Sequence, residues 1–417
     1  MKKRYTSKQF LLIASLLLVF ICFVEACSKR SPYPTNRNYE KPYDTTTTDS
    51  ADIGVASFNN PTGVAVDAAG NIYVADYGNN EIRKITPAGV VTTLAGNGSV
   101  GALNGPDTLA TFNGPTSVAV DLSGNVYVAD DNNNQIRMIA TNGTVSTIAG
   151  SDSTGAQNGQ GALAYFFGPA GVACDAQGNV YVADAGNNMI RMVTPGGLVS
   201  TIAGNTNTGA ENGPDSVATF NNPTGVAIGA GGTIYVADML NSLIREISNG
   251  QVTTLAGGDT SASINGVGTS ADFFFPNSLA VDASGNVYVT EYISNLIRKI
   301  TPNGTVTTFA GSGASGQADS TGIAATFSGP SGVAVDGAGN VYVADTYNNV
   351  IRKITPAGAV TTIAGTGFAG SANGNALSLH RGKTLALLHK RLRPNNNILF
   401  RILVKKPAWR YYMRINR

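Results

Sequence analysis

The sequence predicts an all-β protein, a six-bladed β-propeller made of four-stranded antiparallel blades. Three observations favour this fold: a unit of 53 or 54 residues occurs six times, each unit contains four short segments of strand composition, and no helical periodicity interrupts the array. One tyrosine at the same place in every unit marks the period. These tyrosines are Tyr73, Tyr127, Tyr181, Tyr235, Tyr288 and Tyr342.

The first unit shows how each blade is built. Its strand candidates are GVAVD at 63–67, NIYVAD at 71–76, EIRKIT at 81–86 and VVTTLAG at 90–96. Valine, isoleucine, threonine and tyrosine dominate these segments, as is typical of strands. A D-x-x-G-N turn joins the first two strands in five of the six units, and its glycine supplies the positive φ that a tight hairpin needs. The fourth unit has Gly229-Ala-Gly-Gly232-Thr233 instead.

The blades are expected to stack in a ring. A single blade of this composition cannot bury both of its faces, so each blade must be covered by its neighbours. A long stretch rich in Gly, Ser and Asn follows each strand group and ends in an A-x-F-x-x-P lead-in, as in Ala110–Pro115. The lead-in to the first unit, Val55–Pro61, is the ending that the sixth unit lacks. We therefore expect the ring to close by this N-terminal segment packing beside the last blade.

The repeated unit also carries a family resemblance. The pattern P-x-G-V-A-V-D-x-x-G-N-x-Y-V-A-D-x-x-N-N-x-I-R-K-I, clearest at residues 61–85, resembles the NHL repeat, and the resemblance covers all six units, about residues 51–374. The family implies a six-bladed propeller that unrelated proteins use to bind protein, nucleic acid, glycan or small ligands. Similar propellers include enzymes, namely the amidating lyases, the streptogramin lyases and the gluconolactonases. The resemblance is specific for the fold and nearly silent on function.

Residues 1–26 are expected to be a lipoprotein signal peptide. Basic residues precede a 14-residue apolar run at 10–23, which is too short for a comfortable transmembrane helix. The small residue Ala26, followed by Cys27, resembles a lipobox, which implies that Cys27 is acylated and anchors the chain in a membrane. The alternative is ordinary signal-peptidase cleavage after Ala26, with Cys27 incidental. Residues 27–50, which contain proline, threonine and charge, are expected to form a flexible tether.

Charge is distributed unevenly along a chain whose formal net charge is only +2. Residues 51–374 hold 9 Lys and Arg against 22 Asp and Glu, a net charge of −13, so the propeller is unsuited to a nucleic-acid backbone. Residues 375–417 hold 11 basic residues and no acid, and the repeat pattern breaks there. This tail is either a basic amphipathic appendage, for an anionic membrane or for the propeller's acidic surface, or the product of a shifted reading frame or a decayed continuation.

An acid ends the second strand of every unit, and an Ile-Arg pair lies in every third strand. One functional interpretation is that the acids form a calcium-binding ring at the pore mouth and that the arginines bind anionic ligands. Because all six units carry both groups, a structural task in each blade is the more economical prediction: the acid accepts backbone N–H groups or pairs with the arginine. These residues are Asp76, Arg83, Asp130, Arg137, Asp184, Arg191, Asp238, Arg245, Glu291, Arg298, Asp345 and Arg352.

Function is better sought where the repeats differ, in the loop after the second strand. We expect this loop to lie on the same rim as the long connections between blades and to expose aromatic and aliphatic side chains there. Such groups gathered on one face are typical of a contact surface for a protein or a glycan. The alternative is hydrophobic residues scattered over the surface without function. The candidate ligand-binding residues are Tyr77, Asp131, Met239, Leu240, Tyr292, Ile293 and Tyr347.

Catalysis is the less favoured class of function. Both histidines, His380 and His389, lie outside the repeats, whereas the lyases that these propellers resemble depend on histidine. The three cysteines are not placed for a disulfide, and no catalytic residue is assigned. A calcium-dependent lactonase or hydrolase with its metal in the pore is one alternative, because carboxylates and asparagines are plentiful. A purely structural surface protein is another.

The sequence thus predicts an envelope-anchored lipoprotein, facing the periplasm or the cell surface, that binds a protein or glycan partner through the rim of its propeller. No cofactor is assigned apart from the calcium of the alternative interpretation. We expect a monomer that contacts the membrane through its lipid anchor and binds no nucleic acid.

Overall fold

The structure is a computed structural model that describes residues 55–258 and 260–375, together with the backbone of residues 389–392 and 398–401. The chain divides into two units, Met1–Ala376 and Leu377–Arg417. The described part of the larger unit is a six-bladed β-propeller, as the repeats predicted. The predicted signal peptide (1–26), the tether (27–50) with Cys27, and most of the basic tail (375–417) lie outside the described residues.

The first three blades have the following strands. Blade 1 contains β1 (Pro61–Val66), β2 (Ile72–Asp76), β3 (Glu81–Ile85) and β4 (Val90–Ala95), and the connection after it contains β5 (Gly105–Pro106). Blade 2 contains β6 (Pro115–Val120), β7 (Val126–Asp130), β8 (Gln135–Ile139) and β9 (Thr144–Gly150), followed by β10 (Gly159–Gln160). Blade 3 contains β11 (Pro169–Cys174), β12 (Val180–Asp184), β13 (Met189–Val193) and β14 (Leu198–Gly204), followed by β15 (Gly213–Pro214).

The other three blades repeat this arrangement. Blade 4 contains β16 (Pro223–Ile228), β17 (Ile234–Asp238), β18 (Leu243–Ser248) and β19 (Gln251–Ala256), followed by β20 (Gly266–Val267). Blade 5 contains β21 (Pro276–Val281), β22 (Val287–Glu291), β23 (Leu296–Ile300) and β24 (Thr305–Ala310). Blade 6 contains β25 (Pro330–Val335), β26 (Val341–Asp345), β27 (Val350–Ile354) and β28 (Val360–Ala364), followed by β29 (Gly374–Asn375). Single 3-10 turns lie at Tyr77–Asn79, Asp131–Asn133, Gly161–Leu163, Ala185–Asn187, Ala230–Gly232, Met239–Asn241, Gly268–Ser270, Gly322–Ala324 and Thr346–Asn348.

Every blade is an antiparallel meander whose first strand is innermost and whose fourth strand lies near the outer edge. In blade 1, Val74 on β2 pairs with Val64 on β1 and with Arg83 on β3. In five blades the connection that arrives from the preceding blade adds a two-residue strand outside the fourth. A bridge between Thr321 and Ala359 takes this place in blade 6. The four predicted strands of each unit are confirmed, and the short fifth strand extends them.

Hydrophobic side chains fill the layers between neighbouring blades. One layer joins Tyr73 and Ala75 of blade 1 to Val118 and Val126 of blade 2, so each blade buries one face on the next, as stacking requires. The phenylalanine of each A-x-F-x-x-P lead-in is completely buried in such a layer. These six residues are Phe58, Phe112, Phe166, Phe220, Phe273 and Phe327.

The aspartate side chain fixes each D-x-x-G-N turn. Asp67 accepts hydrogen bonds from the N–H and the side-chain amide of Asn71, both at 2.8 Å, and from the hydroxyl of Tyr73 at 3.0 Å. Burial raises the pKa of Asp67, but these hydrogen bonds outweigh burial and lower that pKa below its ordinary value. Gly70 adopts φ +81° in the turn, which favours glycine. The repeated tyrosine therefore ties the blade interior to the hairpin.

The six innermost strands meet around the propeller axis with little space between them. A Cβ atom on Gly63 would lie 2.6 Å from the Cα of Ser117, and one on Gly332 would lie 2.3 Å from the carbonyl oxygen of Thr62. The cavity left along the axis has a volume of about 50 Å³, which is on the scale of ~1–2 water molecules. Backbone therefore fills most of the axial channel.

The ring closes without a covalent connection. The N–H of Ser57 donates to the carbonyl of Ala372 at 3.1 Å, and the N–H of Gly370 donates to the carbonyl of Phe58 at 2.9 Å. Further along the same segment, β29 pairs with β4 of the first blade. The N-terminal segment thus takes part in closure as expected: Ala56 and Phe58 pack with Tyr342 and Ile351 of the sixth blade, and the segment also bonds the chain that follows that blade.

The smaller unit contributes one described feature, an antiparallel pair formed by β30 (His389–Leu392) and β31 (Ile398–Arg401). Within the part of the chain that the structure describes, no helix has both the length and the apolar character needed to span a membrane.

We expect the closing seam to open more readily than the covalent connections, because its two ends can separate without unfolding a blade. The amides of Ser57 and Gly370 should exchange hydrogen faster than those of Thr111 and Gly101, which make the equivalent bonds in the first connection. Hydrogen–deuterium exchange with mass spectrometry compares the two pairs within one protein. Equal protection of both pairs would show that the seam is as stable as a continuous chain.

Candidate functional site

The acid at the end of each second strand is completely buried and fully engaged. In blade 1, one carboxylate oxygen of Asp76 accepts the N–H of Asn59 at 2.7 Å. The other accepts the amide of Asn79 and a guanidinium N–H of Arg83, both at 2.8 Å. Burial raises the pKa of Asp76 to about 7, and the guanidinium and the two other donors act in the opposite direction. The buried charge is therefore tolerated only because a complete set of donors surrounds it.

The arginine of each third strand connects this acid to the blade-to-blade connection. Through its two terminal nitrogens, Arg83 also donates to the carbonyls of Ser57 at 3.1 Å and Ala372 at 3.0 Å and to the side-chain oxygen of Asn373 at 2.8 Å. Its guanidinium lies 5.5 Å from the centre of the Phe58 ring, within cation–π distance. Arg83 thus holds the closing seam in blade 1.

The same acid–arginine pair occurs in every blade, with both side chains buried. The further pairs are Asp130–Arg137, Asp184–Arg191, Asp238–Arg245, Glu291–Arg298 and Asp345–Arg352. These carboxylates are bonded within the blades and do not form an open ring at the channel mouth. Among the described residues, no group of three or more His, Cys, Asp or Glu is arranged to hold a metal ion.

Blade 5 carries a variant of this arrangement. Glu291 replaces the aspartate and pairs with Arg298. Ser294 stands where the other five units have an asparagine that bonds the acid, and Ser263 adds a hydroxyl that bonds both Glu291 and Ser294. The longer acid and the shorter serine compensate for one another, so the guanidinium keeps its carboxylate.

The rim of the propeller is built on the turn that follows each acid. In most units this turn ends in a residue at positive φ, such as Asn80 at φ +53°. The side-chain oxygen of Asn80 accepts the N–H of Gly114 at 2.9 Å, in the lead-in of the next blade. Each lead-in therefore lies between the turns of two consecutive blades. The equivalent bonds join Asn134 to Gly168, Asn188 to Asn222, Asn295 to Gly329 and Asn349 to Asn60.

Five of the seven candidate rim residues reach the surface, and two do not. Leu240, Ile293 and Tyr347 are 37%, 44% and 46% exposed, and Tyr77 and Tyr292 are partly exposed. The predicted exposure of Met239 and Asp131 is wrong, since both are buried.

Met239 and Asp131 are buried because of the direction of the first residue in each turn. That residue points toward the adjacent blade, as Thr346 shows by donating its hydroxyl to the carbonyl of Pro61 at 2.7 Å. Met239 and Asp131 occupy the same first position. Tyr77 and Tyr292 also occupy it, but their rings are too large to be covered completely.

Aromatic side chains gather where blades 5 and 6 meet. The rings of Tyr292 and Tyr347 lie 5.5 Å apart with an interplanar angle of 55°. A Cβ atom on Gly329 would lie 2.6 Å from the Tyr347 ring and 3.2 Å from the Tyr292 ring. The glycine thus provides the space in which the two rings approach.

Residues 58–85, 112–137 and 327–354 match the family model of the NHL repeat. NHL repeat-containing protein 2 of Bos taurus is 28% identical over 70% of this chain and 46% of its own length. Protein SUPPRESSOR OF QUENCHING 1, chloroplastic, of Arabidopsis thaliana is 32% identical over 55% of this chain and 24% of its own length. The propeller thus carries NHL repeats, matched in three of its six units. The chain spans less than half of the length of either relative.

Solved structures resemble this NHL-repeat propeller in fold. A Bacteroides thetaiotaomicron protein of unknown function has a TM-score of 0.56 at 20% identity, over 76% of this chain and 73% of its own. An auxiliary nutrient binding protein from the same organism has a TM-score of 0.53 at 16% identity, over 73% of this chain and 70% of its own. Likeness at this level of identity concerns the fold alone.

Three further aromatic residues lie on the rim of the NHL-repeat propeller and were missed from the sequence. Phe167 is 46% exposed, and Phe274 and Phe275 are partly exposed and in edge-to-face contact at 4.9 Å. The signal that could have found them is the lead-in sequence. Four units have Asn or Ser after the buried phenylalanine, whereas the third and fifth have FFGP and FFFP.

The propeller's one described cysteine does not resemble a nucleophile. Cys174 lies between blades 2 and 3, and its Sγ is 3.1 Å from the carbonyl oxygen of Val120. Burial, and then the nearby carboxylates of Asp121 and Asp175, raise the pKa of the Cys174 thiol to about 12. The thiol is therefore protonated at neutral pH.

We expect Glu291→Asp to destabilise the propeller, because the shortened acid can still face Arg298, as in the other blades, but loses the hydroxyls of Ser263 and Ser294. The loss should be about 1–2 kcal/mol in the free energy of unfolding, measured by guanidinium denaturation. The triple variant Glu291→Asp, Ser294→Asn, Ser263→Ala installs the residues that blades 2, 3 and 4 have at these positions and should recover most of it. A triple variant as unstable as the single one would show that the three side chains are not coupled.

Proposed function

We propose that this NHL-repeat propeller is a binding module that holds a protein or glycan partner on the face that carries the blade-to-blade connections. The observation that carries the proposal is the arc of exposed apolar and aromatic side chains on the rim, set on a scaffold that is otherwise the same in every blade. Phe167, Leu240, Ile293 and Tyr347 are its most exposed members. Exposed groups of this kind, gathered on one face, are typical of recognition surfaces.

Each unit combines structural residues that repeat with surface residues that vary, and this difference supports the proposal. The buried acid, the arginine and the lead-in phenylalanine perform the same task six times and are completely covered, out of reach of a ligand. A single ligand needs different side chains in different blades, and the turns after the second strands supply them. The aromatic members are large and lose little conformational entropy on binding, which suits them as anchors.

Binding is favoured over catalysis by what the polar groups of the propeller already do. The six buried carboxylates are engaged with arginines, and the Cys174 thiol is held protonated by its raised pKa. The axial cavity of about 50 Å³ offers little room for an organic substrate. The rim is then the surface on which a partner finds exposed side chains that differ from blade to blade.

We also propose that the protein is an envelope lipoprotein anchored through Cys27. The basic start, the apolar run and the small residue before Cys27 support this proposal from the sequence. Acyl chains on Cys27 would hold the propeller at a membrane, and residues 27–50 would give it reach.

Replacing Tyr77, Tyr292 and Tyr347 together by alanine should weaken partner capture by more than about 100-fold, because each ring is a contact anchor. Capture from cell-envelope extract on immobilised full-length protein, followed by mass spectrometry and carbohydrate staining, measures the loss. The variant should keep its circular dichroism spectrum and nearly all of its thermal stability.

A matched control removes three exposed leucines that lie away from the rim turns. Leu109, Leu122 and Leu163 are 64%, 84% and 67% exposed, and their replacement by alanine should leave capture unchanged. Capture that survives the tyrosine variant, or that falls equally in the leucine variant, would refute the rim as the binding surface.

Cys27→Ala should abolish acylation and release the protein from the membrane fraction, because the lipid is attached at this residue. Metabolic labelling with an alkyne fatty acid, followed by detergent phase partitioning, measures both effects. Cys22→Ala is the matched control, since Cys22 lies within the apolar run that is removed with the signal peptide. Labelling that persists in the Cys27 variant would contradict the anchor.

A further inference from the structure

The lead-in of blade 5 contains a backbone conformation that its side chain does not favour. Phe275 adopts φ +54°, a region in which a bulky residue is an outlier. The other five units place glycine or asparagine at this position, and both tolerate it. Those residues are Asn60, Gly114, Gly168, Asn222 and Gly329. Strained residues of this kind persist when the surrounding structure holds them, and they cluster at functional sites.

The position of Phe275 on the rim follows from the repeat. Gly329, its equivalent in blade 6, lies against Tyr292 of the preceding turn and Tyr347 of its own turn. Phe275 therefore lies between the turn of blade 4, which exposes Leu240, and the turn of blade 5, which exposes Ile293. Together with Phe274, Tyr292 and Tyr347, these residues line an apolar arc over blades 4, 5 and 6, which we call the aromatic arc.

The aromatic arc is uncharged, although it lies on an acidic propeller. Its turns read MLNS at 239–242, YISN at 292–295 and TYNN at 346–349, with FF at 274–275 and SG at 328–329. None of these residues is Lys, Arg, Asp or Glu, whereas residues 51–374 as a whole have a net charge of −13. The acids that precede the turns are neutralised by buried arginines. The arc therefore offers ring faces and the exposed Tyr347, whereas the hydroxyl of Thr346 and the side-chain oxygens of Asn295 and Asn349 are bonded within the scaffold.

This chemistry fits a ligand that has apolar faces and neutral hydroxyl groups. Aromatic rings receive the C–H faces of a sugar, and the phenol of the exposed Tyr347 can exchange hydrogen bonds with its hydroxyls. A protein partner is less well matched, because protein interfaces place polar and charged residues around their apolar centre and favour arginine. We infer that the aromatic arc binds an uncharged oligosaccharide, an inference that rests on the proposed binding function and names its ligand class.

The test uses the full chain and affinity electrophoresis in gels that contain one soluble polysaccharide each. The neutral probes are an α-glucan, a β-glucan, a mannan and a xylan, and the anionic probes are polygalacturonate and heparin. The protein should be retarded by at least one neutral probe, with little change at high salt, since no ion pair is involved. Retardation by anionic probes alone would overturn the inference.

Two glycines provide a matched pair of variants. Gly329 and Gly168 occupy the same position in blades 6 and 3 and have the same φ of +59°, so alanine strains the backbone equally at both. In blade 6 the new Cβ would lie 2.6 Å from the Tyr347 ring, whereas in blade 3 its nearest neighbour is an oxygen of Asp131 at 3.2 Å. Gly329→Ala should weaken binding to the neutral probe by at least about tenfold, and Gly168→Ala should not. An equal effect at both positions would contradict the assignment to the aromatic arc.

The variant Phe275→Asn distinguishes the backbone strain at this position from the contribution of the phenylalanine side chain to binding. Asparagine occupies this position in blades 1 and 4, so the variant should melt at the same or a higher temperature while binding to the neutral probe falls by at least about tenfold. A lower melting temperature with unchanged binding would show that Phe275 serves packing alone, and would overturn the inference.

The outcomes distinguish this inference from the function on which it rests. If no neutral polysaccharide retards the protein while the tyrosine variant still loses a protein captured from envelope extract, the oligosaccharide is refuted and the binding rim stands. If no neutral polysaccharide retards the protein and the tyrosine variant captures as much from envelope extract as the unmodified protein, both proposals are refuted.

Discussion

The fold of this propeller depends on a buried arginine that each blade uses to hold the connection arriving beside it. Arg83 bonds Asp76 on the neighbouring strand and two carbonyls of the closing seam, and it stacks on the buried ring of Phe58. Bringing an unpaired guanidinium or carboxylate into this layer would be costly, so the acid, the arginine and the carbonyls stabilise the blade only as a complete set. The ring therefore depends on six equivalent contacts, each between a buried acid–arginine pair and the connection that arrives beside it, rather than on one continuous core.

That arrangement separates the part of the sequence that must repeat from the part that can vary. Blade 5 shows how little freedom the junction has, because Glu291 is accompanied by serines at both places that contact it. The turns after the second strands are restricted mainly in their last two residues, of which the first bonds the acid and the second binds the next lead-in. Their first two residues range from alanine and glycine to tyrosine and leucine. Substitutions at the first two positions of these turns therefore have little effect on the stability of the scaffold.

The sequence predicted the repeating part well and the rim only in outline. Strand positions, hairpin turns and the acid–arginine pairs follow from residue types that recur at a fixed spacing, and Asp67 with Asn71 and Tyr73 shows why that spacing is needed. The burial of Met239 could not be predicted, because it depends on which way a single turn faces relative to the next blade. The conformation of Phe275 depends on a backbone set by five other units, and its own residue type opposes it.

The boundary between blades 4 and 5 shows how scaffold and rim constrain one another. At the other five boundaries an asparagine at the end of one turn binds a glycine or asparagine in the next lead-in. Here both residues are exchanged, with Ser242 in the first place and Phe275 in the second. A serine is shorter and presents no amide oxygen, and a phenylalanine at positive φ opposes folding. Both substitutions weaken the scaffold at this boundary, and Phe275 extends the aromatic arc. We infer that the residues at this boundary serve the aromatic arc rather than the stability of the ring.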